Sequence, residues 1–514
     1  MVNLPHEIWL HISQYIPASV LEGLVSVNST FYDIAMDCRY RQISFAFLDN
    51  RMLRNLQRLK DPVVARRVRV LHVYPVFLKQ VLDREPNLPG RQSLRLRLTA
   101  FATHILEQKK SSGRTKFRML QLPKFRTAED IVHAMHDVFS GLPNVTDYHI
   151  MWCGLQTVPE SPVPFLAAIL RPKLRKLSLD ISLENIVKLL SPPSCTSCNI
   201  EELNLVIRTD HVVATSDHVQ IMSDYLAPAL MRLRNTLRTL TIQAWEPLDF
   251  SPLFLALGRL PWLNHLTLGI PIEAPHLGNP SGLTTFLNRQ GSTLLSLSLR
   301  ATQYSGPGLT PDPLSIDGWV SRALTDVHMT HLRSLDISSS LFPFTASLVC
   351  LFQFSATITS LVLTGCYHTL ADVAAILDAF RDRPRDERLE TLRLGSVALT
   401  PQLLDLLAGE LPNLYRLELL VREVTAHSDE YLLAVHGPPD SEIVRPPCHV
   451  LSMLVPDFLL TQDYFFYEME KRRYPQWHLQ RLKILLTSFP YRFPYGPHVE
   501  QLLAVCVPTI RDFS

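Results

Sequence analysis

A chain of 514 residues is too long for one compact core, so its 46% apolar and 19% charged residues point to several folded domains or a repeat array in a soluble protein. Its 50 basic and 48 acidic side chains leave a formal charge of +2, so bulk electrostatics nominate neither nucleic acid nor an anionic membrane as the main partner. Eight cysteines without a regular framework suit a reducing compartment. No secretory leader is expected, because His6 and Glu7 arrive at once, and no stretch approaches the apolar length of a membrane span. Cytoplasm or nucleus is the expected setting. Proline is abundant at 38 residues and glycine sparse at 18, which suits many rigid turns between short elements.

Along the chain, the first forty-odd residues read as three short helices. Pro5 suits a first helical turn, Glu7 the positive end of its dipole, and Ile8, Ile12 and Ile16 recur every fourth residue. Pro17-Ala18 breaks that helix, and Ser19-x-x-Glu22 has the form of a capping box opening a second, with Leu21, Leu24 and Val25. Asn28 or Ser29 then caps a third helix carrying Phe31, Ile34 and Ala35. Helices this small do not bury Trp9, Ile12, Leu21, Leu24, Val27 and Phe31 among themselves, so another surface is required.

The order Leu4-Pro-x-Glu-Ile-Trp-x-x-Ile12, Tyr15-Ile16-Pro17, Leu21-x-x-Leu24-x-x-Val27 and Phe31 closely resembles an F-box. The continuation from Phe31 to Phe45 resembles the large fungal branch of that family. The resemblance covers under a tenth of the chain and implies helices that dock on a Skp-type adaptor of a cullin–RING ubiquitin ligase. Carried over residue by residue, it assigns adaptor contact to Leu4, Pro5, Ile8, Trp9, Ile12, Leu21, Leu24, Val27 and Phe31. The polar pair after the valine departs from the family's usual basic or small pair, being Asn28-Ser29. The other reading of these helices is a plain helical cap on a larger domain.

Residues 51–60 suit a helix with Leu53, Leu56 and Leu59 inward, ended by Asp61-Pro62. Val68–Val73 and Leu94–Leu98 alternate like strands. Basic residues crowd here: Arg51, Arg54, Arg58, Lys60, Arg66, Arg67 and Arg69, then Lys109, Lys110, Arg114, Lys116 and Arg118. They form either a solvated outer face or a patch for an acidic or phosphorylated partner, and the former is the default for a charge run.

From Val145 one pattern recurs. Val145-Thr-Asp-Tyr148-His-Ile150 is a weak first copy of L-x-x-L-x-L. Full copies start at Leu174, Ile200, Leu237, Leu263, Leu294, Leu332, Ile358, Leu389, Leu414 and Leu479. This is the leucine-rich-repeat signature, and the copy at Ile358 reaches the cysteine position at Cys366. Copies from Leu174 to Leu414 start 25 to 38 residues apart, so several carry insertions. Helix-like runs lie between them at Ser216–Leu233, Pro252–Leu260, Ala371–Phe380 and Pro401–Leu407. The expected fold is therefore an α/β solenoid, a leucine-rich-repeat horseshoe preceded by a small all-α F-box head. Its divisions are 1–47 for the F-box, 48–144 for a basic linker or N-terminal capping repeats, 145–420 for the repeats, and 421–514 for irregular final repeats and a C-terminal cap. The gap before Leu479 holds a Pro-rich loop from Gly437 to Cys448, with room for a degenerate copy near Val450–Leu454. In the tail, Tyr464–Tyr467, Tyr474, Trp477 and Phe489–Tyr495 suit an aromatic cap or a binding rim.

Catalytic motifs do not emerge. His6-Glu7 lacks the second histidine of a zinc-protease helix, position 10 being Leu. Cys195-Thr-Ser-Cys198 has metal-ligand spacing but no second pair at a matching interval. No glycine-rich phosphate loop is present: Gly306-Pro-Gly308 lies among prolines, and Gly278–Gly282 places its serine wrongly for a nucleophile elbow. A triad dispersed in sequence is not excluded, so a hydrolase is the enzyme-class rival. No catalytic residue, metal or cofactor is expected.

Period-two alternation sends the second leucine and last apolar residue of each copy inward and their neighbours to the concave face. That face nominates Lys176, Ser178, Asp180, Glu202, Asn204, Thr239, Thr241, Gln243, His265, Thr267, Ser296, Ser298 and Arg300, then Ser334, Asp336, Ser360, Thr364, Thr391, Arg393, Arg416, Glu418, Arg481 and Lys483. It is an expected protein-binding floor. The resemblance and the repeats together imply a substrate-recognition subunit of an SCF-type ubiquitin ligase, not itself an enzyme, with an unknown protein target. The alternative is a leucine-rich-repeat interaction scaffold with no ligase role.

Overall fold

The computed structural model describes residues 5–78, 128–152, 170–190, 199–209, 215–246, 248–271, 278–302, 313–337, 343–381, 389–425, 464–486 and 496–513. The sequence features at Leu4, Leu94–Leu98, Lys109–Arg118, Cys195 and Cys198, Gly306 and Gly308, Gly437–Leu454 and Phe489–Tyr495 lie outside the described residues. Two compact units divide the chain, Met1–Arg238 and Thr239–Ser514.

The first unit opens with helices α1 (His6–Ser13), α2 (Ala18–Leu21) and α3 (Ser29–Tyr40), with a 3₁₀ turn at Glu22–Leu24. Pro5 sits just before α1 rather than inside its first turn, and its carbonyl accepts from the Ile8 and Trp9 amides at 3.1 and 3.4 Å. Ser19 lies within α2, and the Pro17 carbonyl takes the Val20 and Leu21 amides at 2.9 and 3.1 Å. Asn28 caps α3, its Oδ1 accepting from the Phe31 amide at 2.8 Å. Leu21, Phe31 and Ile34 form a small core on which Trp9, Ile16 and Leu24 pack, with the Trp9 and Phe31 rings 5.0 Å apart. Arg67 holds α3 to the rest of the unit, donating to Asp33 Oδ1 at 2.7 Å and Asp37 Oδ1 at 2.6 Å.

Five parallel strands follow in sequence order: β1 (Gln42–Phe45), β2 (Val70–Val73), β3 (Asp147–Trp152), β4 (Lys176–Ser182) and β5 (Glu202–Arg208). Their register aligns Ile43, Leu71, Tyr148, Leu177 and Leu203, and two residues on Phe45, Val73, Ile150, Leu179 and Leu205, every one buried. The repeat therefore starts well before Val145. Tyr40-x-x-Ile43-x-Phe45 and Val68-x-x-Leu71-x-Val73 have the same spacing and the same buried first position, with aromatic and β-branched residues in place of leucine. Tyr148 occupies a leucine place in β3; its hydroxyl is buried with no hydrogen-bond partner among the described residues. Between β1 and β2, the helix α4 (Asn50–Arg58) buries Leu53 and Leu56 as expected, with Met52 beside them and Leu59 just beyond.

The second unit carries eight parallel strands, each paired with the next: β6 (Thr239–Ala244), β7 (His265–Pro271), β8 (Ser296–Thr302), β9 (Ser334–Asp336), β10 (Ser360–His368), β11 (Thr391–Leu399), β12 (Arg416–Val424) and β13 (Arg481–Leu486). Leu240, Leu266, Leu297, Leu335, Leu361, Leu392, Leu417 and Leu482 stand in one row. Before each strand the chain already pairs with its neighbour: the Arg333 amide donates to Leu295, Thr359 to Arg333 and Glu390 to Thr359, each at 2.8 Å. Each unit is thus an open stack of strand–helix repeats, stable only because neighbouring leucine rows cover one another. β12 pairs directly with β13.

Helices occupy many of the described returns, and several of them begin with proline. Pro62, Pro252, Pro280 and Pro401 each occupy the first turn, where a missing N–H leaves no hydrogen bond unmade. The run expected at Ser216–Leu233 is helical but widens to a π-turn at Ile221–Leu226, just before Pro228. Pro228 has no N–H for the Asp224 carbonyl, and its ring pushes the preceding turn open. At the end of the second unit Phe465, Met469 and Trp477 are buried, and the outer edge of β13 is met by Asp512, whose carbonyl accepts from the Leu482 amide at 3.0 Å. Tyr464 and Tyr467 remain exposed, so the aromatic tail serves as a cap through some residues and leaves others on the surface.

Candidate functional site

In each unit, alternation along the parallel strands lines up rows of polar side chains. In β5, Leu203, Leu205 and Ile207 are buried while Glu202, Asn204, Val206 and Arg208 stay accessible. Register then sets each row beside the next. Lys176 Nζ lies 2.8 Å from Glu202 Oε2, and this contact raises the lysine pKa above its ordinary value. Asn204 Nδ2 donates to Ser178 Oγ at 3.1 Å, and Arg208 donates from Nε and Nη2 to the two Asp180 oxygens at 2.6 and 3.0 Å.

In the second unit the rows begin neutral. Thr239, Thr241, Gln243 and Thr267 are half-buried and His265 is exposed. Ser296, Ser334, Ser360, Thr364 and Thr391 are half-buried as well. Toward its end the face becomes charged. Asp336 accepts from Ser298 Oγ at 3.0 Å and from Arg300 Nη2 at 3.3 Å. Arg393 Nη2 donates to Glu418 Oε1 at 3.0 Å, and Arg416 stands 4.0 Å from the same carboxylate. Arg481 is paired with Asp512 at 3.8 Å and rests over the Tyr415 ring, and Lys483 is half-buried beside it.

Two of the nominated residues do not offer their charge to a visitor. Asp180 is 5% exposed and Glu418 4% exposed. Each is covered by arginine from the neighbouring strand, Arg208 and Arg393 respectively, because a carboxylate in a crowded row is held there only if paired. The surface presented at these places is guanidinium edge.

An aromatic and imidazole cluster on the first unit escaped the sequence reading. His72 of β2 lies opposite His149 of β3, ring centres 5.5 Å apart, and Tyr74 is stacked on His72 and 5.4 Å from His149. Gln42 Nε2 is 3.1 Å from His72 Nε2. Burial lowers both histidine pKa values, with the neighbouring His72 adding to the effect on His149, while Asp147 and Asp180 oppose it. The available signal was the position just after the second apolar residue in two copies, Leu71 and Tyr148, but the earlier copy lacks leucine at the other two places.

In the head, the adaptor-contact residues separate into two groups. Leu21 and Phe31 belong to its own core, so they shape the surface without forming it. Pro5 is exposed, as are Ile8 at 45% and Val27 at 59%, and Trp9, Ile12 and Leu24 are half-buried. Tyr15 at 76% and Val20 at 50% add to the apolar exposure.

Among the described residues no helix is long and apolar enough to cross a membrane. No described protein family matches the sequence, and no curated protein does. Among solved structures, the leucine-rich repeat-containing protein LegL7 from Legionella pneumophila is similar over 56% of this chain and 87% of its own, with 15% identity and a TM-score of 0.35.

Proposed function

We propose that the chain is a protein-interaction subunit whose repeat face holds a target protein while its helical head docks on a Skp-type adaptor. In that role it is the substrate-recognition arm of an SCF-type ubiquitin ligase in cytoplasm or nucleus. It makes and breaks no bonds itself. Holding two proteins together raises their effective concentration, and that is the whole of its mechanism.

One observation carries the reading: the head has a core of its own yet leaves Ile8, Tyr15, Val20 and Val27 in water. A structural cap would turn such residues against the repeats; a docking module turns them outward. The order of residues resembling an F-box supplies the partner. The polar rows of both units are extensive, which suits a broad protein contact.

Co-purification of the full chain with a recombinant Skp-type adaptor tests it. Val27→Asp and Val20→Asp change exposed positions, so folding should survive, as a thermal melt verifies. Capture by the wild type and about tenfold or greater loss in the double variant is expected from placing two charges in an apolar contact. Absence of capture, or capture indifferent to both substitutions, leaves only the interaction scaffold.

A further inference from the structure

Helix α4 turns three arginines away from its buried face. Arg51, Arg54 and Arg58 follow one another at spacings of three and four, so they share one stripe. With Arg39 from the last turn of α3, and with Tyr40 and Asn55, they wall a cleft of about 280 Å³.

Among the described residues these four cations have no carboxylate partner, unlike the arginines close by. A neighbouring cleft holds Arg41, Arg66, Arg67 and Arg69, but Asp37 and Asp147 line it too, and Arg67 is bound by Asp33 and Asp37. Around Arg39, Arg51, Arg54 and Arg58 no carboxylate lies within ion-pair distance among the described residues. The acids nearest in sequence are engaged elsewhere: Asp37 is bound by Arg67 at 2.6 Å, Asp49 accepts from the Met52 amide at 2.7 Å and Asp61 from the Val63 amide at 2.9 Å.

The arrangement opposes helix stability. Like charges repel at Arg51/Arg54 and Arg54/Arg58, and Arg51 also sits at the positive end of the helix dipole. Yet part of the set is held in place. Arg58 Nη1 donates to the Tyr40 hydroxyl at 2.6 Å, and the Arg39 guanidinium stands 5.8 Å from the centre of the same ring. Tyr40 is itself buried, at the first position of the first repeat. Arg54 Nε donates to the Asn50 carbonyl at 3.0 Å, which leaves both of its terminal nitrogens for another acceptor.

We propose that this cleft binds a phosphate monoester. A monoester dianion brings two charges and three acceptor oxygens, enough to engage several guanidinium forks together, whereas a carboxylate brings one charge and two oxygens. The cleft is confined to residues of α3 and α4 and is not an extended track for a nucleic-acid backbone. The site is separate from the repeat rows and from the apolar head surface, so it stands whether or not the chain serves a ligase.

Fluorescence anisotropy on the full chain at low ionic strength tests this with a labelled Gly/Ser-rich peptide carrying one phosphoserine, and with the same peptide bearing plain serine. The phosphopeptide is expected to bind at least about tenfold more tightly, and Arg51→Gln with Arg54→Gln to remove about tenfold or more of that affinity while holding or raising the thermal midpoint. Arg51→Lys with Arg54→Lys keeps charge but loses the forks and should fall between. Unlabelled glycerol phosphate identifies the source: competition as strong as the phosphopeptide's marks a free small ester, and much weaker competition marks a phosphorylated protein. Equal binding of the two peptides overturns the proposal. So does affinity indifferent to the glutamine pair, or single-stranded DNA binding as tightly as the phosphopeptide.

Discussion

Leu419 and Ile484 stand opposite each other in adjacent strands and occupy the same place in the repeat pattern, so sequence alone gives them equal weight. Their surroundings differ. Leu419 in β12 is fully buried between Leu394 of β11 and Ile484 of β13, whereas Ile484 in the last strand is half-buried. Leu419→Ala removes about 2 kcal/mol of apolar transfer and opens a cavity that flanking leucines cannot refill, so about 3–4 kcal/mol is expected. Ile484→Ala removes about half the transfer contribution and leaves no enclosed void, so about 1 kcal/mol is expected. Urea titration followed by tryptophan fluorescence is the assay; buried Trp477 lies four residues before β13 and reports on this end of the array. Equal losses in the two variants would refute the row-by-row account of stability, as would a loss below about 1 kcal/mol for Leu419→Ala.

Tyr148→Phe removes a buried hydroxyl that has no partner among the described residues and whose ionised form burial disfavours strongly. It should be neutral or stabilise by up to about 1 kcal/mol, read as a rise in urea midpoint; a clear loss would mean the hydroxyl is bonded. The lowered pKa values of His72 and His149 set the sign of a pH effect. Below the ordinary histidine range near 6.5 the unfolded chain takes up protons before the folded one. Stability is therefore full above that pH and declines as pH falls through the folded-state values. Replacing both histidines with glutamine should flatten the slope just below the ordinary histidine range in parallel urea titrations, and an unchanged slope would assign the effect to other groups.

The strand ladder was readable because leucine at fixed spacing is both the pattern and the physical cause of the stacking. The two earliest copies were harder to see because burial at those sites is met by Tyr40, Phe45, Val68 and Val73, which satisfy the core without spelling the motif. Alternation puts Glu202, Asn204 and Thr241 at accessible positions, but Ser178 and Ser298, nominated with them, are buried. Which residues keep an available charge did not follow from alternation, since Asp180 and Glu418 are hidden by arginines 28 and 25 residues away. The widened turn before Pro228 depends on a missing N–H that the hydrophobic period does not register. The arginine stripe was visible as a basic run; that it has no carboxylate partner among the described residues is a matter of which helices meet, and Arg39 comes from a different one.

In-register strands also impose a metre on whatever lies across them. Neighbouring strands repeat every ~4.8 Å, so the eight strands of the second unit offer a strip roughly 34 Å long. An extended guest presents same-side residues every ~6.6 Å, so the two periods coincide about once per four strands. Such a guest would feel a beat, gripped strongly at two or three widely separated places and loosely in between. Inserting or deleting one strand–helix repeat would shift that beat and exchange one guest for another while leaving every leucine row intact.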